Sequence, residues 1–192
     1  LMTLFVGIAG THSTGKTSFV QDVLRQAEKC GISVAVVSDT ATRCRDAGFP
    51  ILKDHTFEST LWIMTSVIKA ELEAGLKASL VLVDRPVPDA LGYLEAALSA
   101  TDRTISEEQR AYLYGLAEHH AKRYSLLLKT QLDESIPLGP DRDRDLDFRR
   151  DAGRHIDAVL TQLGISCLDP NADAAQERIR SILHRLAPTS TS

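Results

Sequence analysis

An unbroken apolar run, Leu4 to Ala9, leads without a gap into Gly10, Thr11, His12, Ser13, Thr14, Gly15, Lys16 and Thr17. No other stretch restricts the fold as strongly. A short apolar run ending in glycine suits a strand buried on both faces, the hallmark of a parallel sheet covered by helices. The residues that follow match G-x-x-x-x-G-K-[ST] at every position, with a strand entering and a helix leaving. Glycines let the backbone curl so that successive N–H groups converge on phosphate oxygens. The helix start, with Ser18 in its first turn, adds partial positive charge. Lys16 supplies a point charge for β- and γ-phosphates, and the Thr17 hydroxyl is a ligand for magnesium.

The rest of the chain repeats the strand–helix alternation. Apolar runs at 33–38, 79–84, 124–128 and 165–168 predict four more strands. Helical spacing predicts helices over 15–29, about 54–76, 87–99, 106–121, 148–163 and 173–186, with Ser106, Glu108 and Gln109 as a capped start. Such an order predicts a three-layer α/β fold: a five-stranded, mostly parallel sheet with helices on both faces. The polar stretch Gln131 to Asp147, with Pro137, Gly139 and Pro140, is too long for an ordinary connection and reads as a functional loop. One domain over residues 1–187, with a lid at about 131–150 and a flexible tail over 188–192, accounts for all 192 residues.

Composition narrows the function classes. The 22 basic and 26 acidic side chains leave a net charge of −4, which suits neither a nucleic-acid coat nor an anionic membrane surface. Cys30, Cys44 and Cys167 have no metal-ligand spacing and cannot all pair, so reduced thiols and a cytoplasmic location are expected. No membrane span or signal peptide is evident, and a homodimer is compatible with the sequence. The adjacent His119 and His120 read as a helix cap rather than metal ligands, because neighbouring side chains diverge on a helix.

Asp84 closes the apolar run 79–84. A carboxylate there can hold magnesium or its waters beside the phosphates, or simply cap the next helix. No Asn/Thr-Lys-x-Asp guanine reader occurs, which favours ATP over GTP. Asp39 and Arg43 follow the second strand, at the carboxyl edge where ligands of parallel sheets bind. Asp39 is either a turn residue or an acceptor-orienting carboxylate. Arg43 is either solvated or a grip for an anionic group. Trp62 is either a core residue or a ring that stacks on a planar acceptor. Asp89 and Tyr93, one helical turn apart, either line the acceptor pocket or are a capping Asp and a core-facing Tyr.

Together, Gly10–Thr17, Asp39–Arg43, Asp84–Tyr93 and the charged stretch 141–154 resemble the P-loop kinases of nucleosides and nucleotides. They resemble in particular small ATPase/kinase domains similar to nicotinamide-riboside kinase, over about residues 4–186. The resemblance implies a P-loop NTPase fold, with ATP and Mg2+ as cofactors and a nucleoside or nucleotide as acceptor. It implies that Asp39 orients or deprotonates the acceptor hydroxyl. It also implies that Arg85 contacts substrate or the transferring phosphate, as in the Asp-Arg pair of thymidylate and deoxynucleoside kinases. Arg142, Arg144 and Arg149 stand where such kinases carry lid arginines, although an interleaved charge run is also an ordinary solvated helix face. Three functions remain open at this point: a kinase, a nucleoside-triphosphatase using water, and a non-catalytic ATP-binding sensor.

Overall fold

The computed structural model describes residues 3–11, 15–132 and 145–188. Of the residues singled out above, His12, Ser13, Thr14, Arg142 and Arg144, most of the lid segment and the last four residues of the tail lie outside these. Four strands, β1 (Leu4–Ala9), β2 (Val34–Val37), β3 (Leu80–Asp84) and β4 (Leu126–Lys129), run parallel in the order β2-β3-β1-β4. Between and after them lie α1 (Lys16–Lys29), α2 (Thr40–Asp46), α3 (Phe57–Gly75), α4 (Val87–Thr101), α5 (Glu107–Ala121), α6 (Leu146–Gln162) and α7 (Asp173–Leu186).

Among the described residues the sheet has four strands rather than the expected five. The segment 165–168 reaches β4 but makes only a single parallel bridge, Leu168 to Leu128. Leu168 donates to the Leu127 carbonyl and accepts from the Lys129 N–H. Pairing stops there because Pro170 has no N–H to give and the Asp169 carboxylate turns the chain by accepting from Asn171 N–H at 2.8 Å. Helical periodicity likewise does not reveal α2, whose seven residues span too few turns for an apolar stripe to repeat.

Strand alternation divides the core. Leu4, Val6, Ile8, Leu80 and Leu82 face one layer, with Val20 and Val23 of α1 and Ile179 and Ile182 of α7. Phe5, Val81 and Val83 face the other, with Met64 and Val67 of α3, Leu91 and Leu94 of α4 and Leu113 of α5. The helix starts follow local chemistry. Thr56 and Ser59 form a capping box on α3, and Ser106 and Gln109 form one on α5, as the sequence predicts for the latter. At one crossing backbones nearly touch: a Cβ on Gly92 would lie 2.3 Å from Ile156 Cγ1 and 2.7 Å from its Cα, so only glycine lets α4 lie this close to α6.

Candidate functional site

Because all four strands are parallel, their carboxyl ends share one edge, and the chain leaves that edge at Gly10, Ser38, Arg85 and Thr130. Asp39 (φ 61°) and Arg85 (φ 65°) sit in the left-handed region just past β2 and β3. Leu52 (φ 60°) does the same in the short 3₁₀ turn Leu52–Asp54. Non-glycine residues held this way cost on the order of 1 kcal/mol or more each, and such strain gathers at functional edges.

The loop is gripped from several sides. Gly10, at φ 133°, lies so close to β4 that a Cβ would sit 2.3 Å from Thr130 Oγ1. Its N–H donates to Asp89 Oδ2 at 3.0 Å. Lys16 is buried, and its Nζ donates to the carbonyl oxygens of Gly10, at 3.0 Å, and of Thr11. Register places Asp84 opposite Ile8 on the neighbouring strand, which brings its Oδ1 to 4.0 Å from Lys16 Nζ. That oxygen is buried and has no hydrogen-bond partner among the described residues. Thr17 and Ser18 are exposed in the first turn of α1. A buried carboxylate oxygen and the Thr17 hydroxyl are hard oxygen donors, the chemistry that suits a cation such as magnesium.

Beside the loop, the Arg85 backbone N–H donates to the Ile8 carbonyl at 3.1 Å, and its guanidinium lies 5.3 Å over the Tyr93 ring. Burial opposes the charge on Arg85, but Tyr93, Asp84, Asp89 and Asp39 together favour it more and raise its pKa. His55 stacks on Tyr93 at 5.7 Å, and its Nδ1 lies 2.9 Å from the Leu52 carbonyl oxygen. Burial drives its pKa down to about 4, with Arg85 and Arg103 pushing the same way. Asp89 is buried, and its pKa is pushed up to about 7 by burial, against the pull of the Gly10 N–H and of Lys16, Arg85 and Lys129. Asp39 is exposed and accepts from Ser38 Oγ at 3.0 Å, while the exposed Arg43 reaches Thr40 Oγ1 at 3.4 Å. Trp62 is half-buried against Phe49 and packs on the core layer of α3 and α4.

On the β4 side, a cavity of about 580 Å³ opens between Thr11, Lys129, Thr130 and the first turns of α6, where Arg149, Arg150 and Asp147 contribute to its wall. Arg149 is buried, whereas its neighbours form surface pairs three residues apart: Arg150 with Asp147, and Arg154 with Asp151. The described end of the charged run therefore contains a solvated face and one inward arginine. At the far end of α5, His120 Nε2 lies 2.6 Å from the buried Glu71, a structural contact between α5 and α3.

Residues 5–178 match the family model described as an AAA domain. The chain belongs to this family. It is thus a P-loop nucleotide-binding domain of the AAA type, in keeping with its G-x-x-x-x-G-K-[ST] motif. Among solved structures, this AAA domain is similar to NadR protein in complex with NAD and AMP-PNP, at a TM-score of 0.63 and 15% identity, covering 100% of this chain and 51% of that one. It is also similar to NadR protein in complex with NR, at 0.60 and 16%, covering 97% of this chain and 52% of that one. These likenesses concern the fold, and the domain spans about half the length of each structure. No curated protein matches it.

Three residues of the AAA domain's edge escape sequence reasoning. His55 carries no periodic or motif signal, because its burial depends on the packing of the Leu52–Asp54 turn against α4. Lys129 does end an apolar run, but its ion pair with Asp157 of α6, at 3.1 Å, joins residues distant in the chain. Thr130 donates through both its N–H and Oγ1 to the Ala9 carbonyl, fastening the end of β1 to that of β4. No described helix is long and apolar enough to cross a membrane.

Proposed function

We propose that this domain is an ATP-dependent phosphotransferase that moves the γ-phosphate of Mg-ATP to a hydroxyl or phosphate of a small metabolite, with a nucleoside or nucleotide as the acceptor class. The observation that carries this reading is the convergence of Lys16, Asp84 and the loop carbonyls at one strand edge, with Arg85 beside them. Lys16 is placed to exchange its loop carbonyls for phosphate oxygens. Thr17 and Asp84 would hold magnesium, which when bound neutralises charge on the phosphates. Arg149, facing the cavity beside Thr11, is the described arginine best placed to add positive charge from the α6 side. On the other side, Arg85 over Tyr93 would offer a planar donor to the acceptor, with Asp39, Arg43 and Trp62 as further acceptor-binding candidates after β2 and on α3. NadR structures, one bound to NAD and AMP-PNP and another to NR, support a nucleotide and a small acceptor as ligands of such a fold.

The test is a screen of purified protein with Mg-ATP against a panel of nucleosides, nucleotides and related hydroxyl metabolites, read by mass spectrometry. Phosphorylation of at least one panel member is expected. Rapid hydrolysis that no acceptor stimulates would replace this reading with a nucleoside-triphosphatase, and binding without turnover would make the domain a sensor.

A further inference from the structure

We propose that Asp89 is a positioning residue for nucleotide binding: it acts through Gly10, anchoring the start of the phosphate loop to α4. This rests on the phosphotransferase reading, in which the loop receives the nucleotide. Gly10 is held on both sides, its N–H by Asp89 Oδ2 at 3.0 Å and its carbonyl by Lys16 Nζ at 3.0 Å. Lys16 must leave that carbonyl to reach a phosphate, whereas Asp89 need not move. The preceding carbonyl, Ala9, is already held by Thr130 of the β4 side. Asp89 thus keeps the loop's origin in place when the lysine releases it.

The placement of Asp89 suits this task better than acceptor contact. It is 2% exposed, and the oxygen that makes a hydrogen bond faces loop backbone. It sits in the first turn of α4, where its own N–H donates to the Pro86 carbonyl at 2.9 Å, and that helix is braced against α6 at Gly92. Burial of the Asp89 carboxylate outweighs its partners, but cations and a backbone donor offset part of that cost. Here those are Lys16 of α1, Arg85 after β3, Lys129 of β4 and the Gly10 N–H. Cys167 and Tyr124 complete the titratable groups that feel its charge from neighbouring segments. A carboxylate held at such expense beside the first glycine of the loop is a device for the loop.

Calorimetry with Mg and AMP-PNP on the full chain tests this, together with hydrogen exchange at the Gly10 amide followed by NMR. Asp89→Ala is expected to weaken AMP-PNP binding by roughly ten- to a hundredfold, the scale of leaving the buried Gly10 N–H without a partner. Asp89→Asn, which keeps an oxygen for the Gly10 N–H, should stay within about threefold of the wild type. In turnover assays the alanine variant should raise KM for ATP far more than it lowers kcat. Unchanged AMP-PNP affinity in Asp89→Ala, or a loss confined to acceptor KM, overturns the proposal. In the unmodified protein the Gly10 amide should exchange slowly, and exchange as fast as an open loop amide overturns the proposal whether or not the alanine variant folds. A wild-type chain that fails to bind AMP-PNP overturns the phosphotransferase reading instead, and the Gly10 exchange rate still reports on Asp89 separately.

Discussion

Lys16 Nζ lies 3.0 Å from the carbonyl oxygen of Gly10, six residues earlier in the same loop. The lysine that the motif assigns to phosphate is therefore satisfied by the loop's own backbone, with Asp84 at 4.0 Å as its nearest described carboxylate. A lysine held this way is buried and oriented by backbone at the carboxyl edge of the sheet.

Replacing that cation should remove function with little loss of fold. Lys16→Ala is expected to lower ATP turnover by roughly a hundredfold or more, the scale of losing a preorganised charge. Steady-state turnover and AMP-PNP calorimetry check this, with circular dichroism confirming that the variant is folded. Turnover close to wild type would remove Lys16 from the site.

Asp84→Asn should act on the metal rather than on the nucleotide alone. Its buried Oδ1 has no hydrogen-bond partner among the described residues, so the amide substitution breaks no described bond at that atom and removes the charge that would face magnesium. The magnesium concentration for half-maximal turnover should rise by roughly tenfold. A magnesium titration with an unshifted midpoint would remove the carboxylate from the metal site.

Gly92→Ala tests the packing behind the site. The new Cβ would lie 2.3 Å from Ile156 Cγ1, 2.7 Å from its Cα and 2.8 Å from its N, and the last two are backbone atoms that cannot rotate away. A loss of roughly 1–3 kcal/mol is expected, typical of overpacking, and read as a lower urea midpoint. An unchanged midpoint would mean that α4 and α6 are not held this closely.

Two buried groups give opposite pH slopes. His55 has its pKa lowered to about 4 by burial, from an ordinary value of 6.5. Below 6.5 the unfolded chain takes the proton first, so the His55 contribution to stability is lost as pH falls from about 6.5 to 4. Asp89 has its pKa raised from 3.8 to about 7, again by burial. Between these values the folded chain holds a proton that the unfolded chain lacks, so its contribution is lost as pH rises. The two should nearly cancel in the wild type. Unfolding in urea from pH 4 to pH 7 should show stability falling with pH in His55→Gln and rising with pH in Asp89→Asn. Parallel slopes in the two variants would refute the assignment.

The local features of this domain could be read in one dimension. The apolar runs of β1 to β4, the capping residues Ser106 and Gln109, and the glycines and lysine of the phosphate loop all act within a few residues of themselves. Helices over 15–29 and 173–186 show their stripes for the same reason. The run 165–168 reads as a strand just as clearly and is not one, because pairing also requires the chain to stay beside β4, and Asp169 and Pro170 turn it away.

By itself, then, the sequence determined that the chain alternates strands with helices and places a phosphate-binding loop at the end of the first strand. Spacing and residue type decide those features before any packing occurs. Tertiary structure decided which charges gather at the strand edge. Asp89 meets Gly10 across 79 positions of chain, Lys129 meets Asp157, and Arg149 turns inward while Arg150 stays in solvent. Burial and the fields of neighbouring groups set the chemistry of these side chains, and both exist only once strands from distant parts of the chain lie side by side.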